Sequence, residues 1–195
     1  MTARKSFVIV AIIAVALAGV GTRPVETAAR TAPGGQSLAP FVPTEQDVVE
    51  RMLELAGVTS KDVVYDLGCG DGRIPITVAR KYGAHGVGVD IDPRRIAESR
   101  ANARKAGVEQ LVEFRVQDAM TVDVSPASVV TLFLLSSSNL KLRPLLTKEL
   151  KPGARIVSHE FSMGDWEPAK VDEFRDRIGS LHTLYVWRAD GKLRP

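Results

Sequence analysis

Cysteine occurs once in the 195 residues, at Cys69, which excludes an intrachain disulfide and any zinc site built on cysteine. An excess of charge of one sign is also small. The net formal charge is only +3, mixed along the chain with part of the excess near the N-terminus, so no nucleic-acid partner is expected. A G-x-x-x-x-G-K-[ST] stretch is missing, which excludes a P-loop. There is no internal repeat, and no metal site is read from the sequence.

One long apolar run is present. Arg4 and Lys5 precede Phe7 to Gly21, about 15 uncharged residues, with the small residues Ala16-Leu17-Ala18 near its end. Residues 1–21 therefore read as a signal peptide or membrane anchor, with membrane association expected through residues 6–21. Spanning a bilayer takes roughly 20 apolar residues, so the length favours a signal core over a full anchor. The domain is expected to be membrane-associated or exported. Residues 22–40, rich in Ala, Thr, Pro and Gly around Ala32-Pro33-Gly34-Gly35, read as a flexible linker. The folded domain is expected over 41–195.

Within it, strand and helix signals alternate. A helix is expected from Thr44 and Asp47 to a stop at Gly57, on the helical recurrence of Val48, Val49, Met52, Leu53 and Ala56. Strands are read at 62–67, 86–90, 111–116, 128–135 and 154–158, and helices at 73–82, 93–106 and 140–150. Such alternation predicts a mainly parallel sheet with helices on both faces. Past Ser158 the pattern leaves two possibilities: an antiparallel pair formed by 166–174 and 181–188, or a short helix at 171–177.

The most informative stretch is Asp66-Leu-Gly-Cys-Gly-Asp-Gly72. Glycines at 68, 70 and 72 permit close approach of a ligand to the backbone. Dinucleotide loops follow G-x-G-x-x-G, and here the third glycine comes one residue early, which argues against a pyrophosphate. Asp66 and Asp71 would repel phosphates and attract an ammonium or sulfonium. Asp90, ending the second strand, is placed to accept the hydroxyls of a ribose, and Asp118, after the third, to accept from an adenine amino group. A ligand with an amino-acid end, a sulfonium, a ribose and an adenine is S-adenosylmethionine. The cofactor set is therefore Asp66, Gly68, Cys69, Gly70, Asp71, Gly72, Asp90, Ile91, Asp118 and Ala119, with Cys69 a small loop residue rather than a nucleophile.

These motifs, in this order, resemble the class I (seven-strand) S-adenosylmethionine-dependent methyltransferases, joined by Leu150-Lys-Pro-Gly-Ala-Arg-Ile-Val157 at the entry to the fifth strand. The resemblance implies a single α/β domain with a doubly wound, Rossmann-like seven-strand sheet and an antiparallel C-terminal strand. It also implies an acceptor held by the ends of strands four and five and by the segment before the first helix. Asn139, His159 and Glu160 are the catalytic candidates on that basis, and Pro43, Thr44 and Ser136 the substrate candidates. More narrowly, the apolar N-terminus, Pro-Phe-Val-Pro-Thr44, Tyr65-Asp-Leu-Gly-Cys-Gly-Asp-Gly-Arg73, Arg155-Ile-Val-Ser-His-Glu-Phe161 and Trp166-x-Pro168 resemble the small membrane-associated protein-lysine methyltransferases of the ATP synthase c-subunit and adenine nucleotide translocase type. The acceptor this implies is a protein lysine, including one of a membrane protein. A small molecule or lipid acceptor on the same fold, or a non-catalytic S-adenosylmethionine-binding module, are the alternatives. Oligomeric state is not legible.

Overall fold

The computed structural model describes residues 37–195; the segment read as signal or anchor, and most of the linker, lie outside the described residues. The chain runs α1 (Gln46–Ala56), β1 (Val63–Leu67), α2 (Arg73–Thr77), β2 (His85–Asp90), α3 (Pro93–Ala106), β3 (Val112–Val116), β4 (Val129–Leu132), α4 (Ser136–Glu149), β5 (Arg155–His159), β6 (Lys170–Arg175) and β7 (Leu181–Arg188). Seven strands form one sheet in the order β3-β2-β1-β4-β5-β7-β6. The first five are parallel, and β7 inserts antiparallel between β5 and β6. No helix among the described residues is long and apolar enough to cross a membrane.

The alternation of side chains along a strand divides the core into two layers. Val64, Val129 and Val157 point to one face, where Val48, Val49, Met52 and Leu53 of α1 and Ile74 of α2 cover them. Tyr65, Leu67, Val130, Leu132 and Ile156 point to the other, against Leu142 and Leu146 of α4 and the fully buried Trp187. A large aliphatic side chain buried this way contributes about 1.5–3 kcal/mol. Pro75 sits in the first turn of α2, where a missing N–H costs nothing. That helix continues as one wider π-helical turn, Val78–Tyr82, and stops at Gly83 in the left-handed conformation.

Several boundaries differ from expectation, and β4 ends at Leu132 rather than Leu135. Helix α4 begins at Ser136 rather than Leu140, because Ser138 and Asn139 donate their N–H groups to Leu135 O and close the first turn. The C-terminal segments form the antiparallel pair rather than a helix. Its first arm starts at Lys170, not Trp166, because Trp166 turns into the core and its carbonyl accepts the Trp187 Nε1–H at 2.7 Å. Leu38 and Ala39, assigned by composition to the linker, pack against the α4-side core.

Candidate active site

The strand order reverses between β1 and β4, and the loop 68–72 leaves β1 at that point. Open α/β sheets bind ligands beside such a reversal. The N–H groups of Gly68 and Cys69 both donate to Val89 O, at 2.8 and 3.0 Å, so the loop is pinned on the end of β2. Gly70 has φ +52°, and a Cβ there would stand 2.3 Å from the ring of Phe41. Phe41 belongs to a strap, residues 37–44, that crosses the loop, and the Arg95 guanidinium stands 3.7 Å from its ring centroid.

Under the strap lies a cavity of about 360 Å³. Of the cofactor residues expected from sequence, Asp66, Gly68, Cys69, Gly70, Asp71, Asp90, Ile91, Asp118 and Ala119 line it. Gly72 does not. A Cβ at Gly72 would meet Ser99 Cβ at 2.6 Å and the Phe114 ring at 2.7 Å, so this glycine serves the packing of the loop on α3 and β3.

The three acids are held differently. Asp90 accepts the Gly70 N–H on Oδ2 and the Asp92 N–H on Oδ1, both at 2.9 Å. Each oxygen keeps a second lone pair for a hydroxyl donor. Asp118 spends Oδ1 on the Met120 N–H at 2.9 Å, and its Oδ2 has no partner among the described residues. Asp66 is buried, and burial pushes its carboxyl up to about 7; the Thr131 hydroxyl, donating at 2.7 Å, pulls it back, while Asp90 and Asp71 push it further. A cationic ligand is what this carboxylate lacks.

Asp71 behaves otherwise than its sequence position suggested. Burial alone would raise its carboxyl, but the forked contact with Arg73, whose Nη2 lies 2.6 Å from Oδ2, holds it below the ordinary value. Its charge is spent inside the protein, and Arg73 Nη1 also donates to Thr44 O at 2.6 Å, which tethers the strap. Cys69 is buried and its thiol is pushed well up by that burial, in keeping with a small loop residue.

The acceptor candidates divide. Pro43 and Thr44 line the cavity. Ser136 is exposed in the first turn of α4 and does not. Asn139 is fully buried, and its Nδ2 donates to Ser158 Oγ at 3.0 Å and Phe161 O at 2.9 Å. That makes it a brace for the loop after β5, and Asn139, a catalytic candidate from the sequence, does not line the cavity. His159 is buried behind Phe133, ring centroids 4.0 Å apart, and Phe133 is the residue that faces the cavity. Burial, and then the neighbouring His182, hold the His159 imidazole down to about 4. His159 and Glu160, the other catalytic candidates, turn towards His182 and do not line the cavity. Arg73, Arg95 and Phe133 were missed. The spacing Asp71-x-Arg73 was the available signal for the first; the other two depend on tertiary contacts.

The chain matches the ANTKMT methyltransferase domain family over residues 66–170. It is 49% identical over 150 residues to a protein-lysine N-methyltransferase of Saccharolobus islandicus, covering 76% of this chain and 92% of that protein. It is 33% identical over 132 residues to the human lysine N-methyltransferase of the ATP synthase c-subunit, covering 68% of this chain and 56% of that one. Among solved structures, an RNA methyltransferase from Salinibacter ruber in complex with S-adenosyl-L-homocysteine superposes with a TM-score of 0.73 at 51% identity, over 78% of this chain and 97% of that chain.

Proposed function

The chain belongs to the ANTKMT methyltransferase domain family, and on that premise we propose that it methylates the side-chain nitrogen of lysine in a protein, using S-adenosylmethionine. The cofactor fits the cavity's chemistry: Asp66 for its ammonium end, Asp90 for ribose hydroxyls and Asp118 for the adenine amino group. Bound there, S-adenosylmethionine supplies an electrophilic methyl on a sulfonium. The chain's own residues hold, orient and exclude water. The lysine Nζ must first lose a proton to solvent; its free lone pair then takes the methyl as the S–CH3 bond breaks and S-adenosylhomocysteine leaves, a step that depends on alignment within about 3–3.5 Å, so the walls of the cavity matter more than a side-chain base. Phe41 and Phe133, with Pro43 and Thr44, form the wall suited to the apolar stem of a lysine.

The observation that carries the lysine reading is the 49% identity to the Saccharolobus islandicus enzyme over nearly its whole length. RNA is the second reading, from the likeness to the Salinibacter ruber RNA methyltransferase. Charge favours protein. Lys and Arg exceed Asp and Glu by three in the whole chain, and the first 36 residues, with Arg4, Lys5, Arg23 and Arg30 against Glu26, supply all of that excess. The folded part is net neutral, so its overall charge gives no general attraction to a phosphate backbone.

The apolar N-terminal run supports a membrane tether that brings lysines of membrane proteins within reach, and a protease-accessibility tag after Pro195 reads the side on which the domain lies. Incubating the full chain with methyl-labelled cofactor and a membrane extract, then separating protein, RNA and lipid, tests the acceptor class. Label is expected in protein; label confined to RNA or lipid overturns the lysine reading, and no label with intact cofactor binding overturns catalysis.

A further inference from the structure

Two of the chain's three histidines meet at a point that the cofactor cavity does not use. His159 Nε2 lies 2.9 Å from His182 Nδ1 and 3.4 Å from Glu160 Oε1, and the last two atoms are 3.2 Å apart. Three potential ligand atoms thus form a small triangle at the ends of β5 and β7. For a tetrahedral ion with bonds of about 2.0–2.1 Å, neighbouring ligand atoms stand roughly 3.3 Å apart, the size of this triangle.

The backbone is bent to make it. Consecutive residues of a strand point to opposite faces, so His159 and Glu160 would ordinarily diverge. Here Glu160 has φ +64°, the one positive φ outside glycine among the described residues, and Phe161 N donates to His159 O at 2.9 Å across it. A three-residue turn of this kind is uncommon and strained, and such strain persists where the surroundings fix it, often at a functional site. Its effect is to bring the carboxylate back beside the imidazole.

His182 Nε2 lies 3.1 Å from Asp176 Oδ2, a buried carboxylate whose other oxygen accepts the N–H groups of Ile178 and Ser180 at 3.0 and 2.7 Å. That contact places the His182 proton on Nε2 and turns the Nδ1 lone pair inward. Nδ1, His159 Nε2 and Glu160 Oε1, which also accepts the Thr183 N–H at 3.3 Å, then face one another. A carboxylate behind a histidine is also the arrangement that orients imidazole ligands in metal sites. Glu160 and His182 are only half-buried, which leaves an approach from solvent.

We propose that His159, Glu160 and His182 form a binding site for a divalent cation of the zinc class, with Asp176 orienting His182. Two imidazoles and one carboxylate suit zinc and its transition-metal neighbours rather than calcium or magnesium. The ion would clip the end of β5 to β7 directly behind Phe133, whose ring rests on His159 and lines the cofactor cavity. This assignment is independent of which acceptor is methylated.

Titration of the chelator-treated full chain with Co²⁺, followed by visible absorption and then by displacement with Zn²⁺, tests it. One Co²⁺ per chain with d–d bands is expected, lost on addition of Zn²⁺. Glu160→Gln should weaken Co²⁺ binding at least tenfold, and Asp176→Asn by roughly 10–100-fold, the range for a partner behind a ligand. His182→Ala should abolish it while S-adenosylhomocysteine binding, read by calorimetry, reports that the fold is intact. Because Glu160→Gln is nearly isosteric, it tests the site even where His182→Ala does not fold. Absence of Co²⁺ binding by the unsubstituted chain, leaving a cluster that holds only a proton, overturns the proposal, as does binding unchanged by Glu160→Gln.

Discussion

Asp90 Oδ2 accepts the N–H of Gly70 at 2.9 Å, so the acid at the end of β2 and the bare turn after β1 are one unit. The carboxylate fixes the loop, and the loop fixes the carboxylate in the orientation in which its remaining lone pairs face the cavity. Asp90→Ala is therefore expected to loosen the loop and remove the ribose contact together. Loss of a hydrogen bond to a charged group costs about 1.5–3 kcal/mol, so S-adenosylmethionine affinity by calorimetry should fall at least tenfold. Unchanged affinity would remove Asp90 from the cofactor site.

The raised carboxyl of Asp66 couples cofactor binding to pH. Its folded-state value of about 7 lies above the ordinary 3.8, so its contribution to stability is fully present below that ordinary value and declines as pH rises through 7. A cationic ligand favours the ionised form, and binding near neutrality expels a proton. Thermal stability of the apo chain should fall, and cofactor affinity rise, between about pH 5 and 7.5. In Asp66→Asn both slopes should flatten, and the comparison separates Asp66 from the cofactor's own amine.

Phe41 reaches the loop only because position 70 carries no side chain. Gly70→Ala would drive a methyl into the Phe41 ring and hold a non-glycine residue at φ +52°. The KM for S-adenosylmethionine should rise by tenfold or more, with a fold still intact by circular dichroism. Phe41→Ala should raise the KM less, since it removes the strap's contact and leaves the loop itself unchanged.

Stability at the far end of the sheet rests on a different acid. Asp62 is buried. Burial would raise its carboxyl, but hydrogen bonds from Ser128, Thr59 and Arg155 outweigh it and hold the value below ordinary; the Arg155 contact is 2.6 Å. Its contribution is present above pH 3.8 and lost as pH falls through the lowered value, opposite in sign to Asp66. Removing one partner of a buried pair costs about 3–5 kcal/mol, so Asp62→Ala should lower the midpoint of chemical denaturation clearly, with cofactor contacts untouched.

Legibility in the sequence followed distance along the chain. Asp66, Asp90 and Asp118 were readable because each ends or follows a strand of one parallel sheet, and their order carries their meaning. The start of α4 was not, since Ser136-Ser137-Ser138 is a weak helix former read locally, and the turn is closed by bonds to Leu135 O. Arg73 looked like a helix residue, and only the folded loop shows it taking the charge of Asp71. His159 and Glu160 were read as facing the acceptor. The antiparallel register of β5 and β7, with His159 opposite Leu184, instead brings His182 to them. That pairing spans 23 residues and leaves no local signature.

The acceptor is the centre of the functional reading, and peptide mapping by mass spectrometry tests it most directly. A membrane-protein extract incubated with the full chain and S-adenosylmethionine should yield peptides methylated on lysine Nζ, and Asp90→Ala should lose them. Methyl groups found only on RNA, with lysines unmodified, would contradict it.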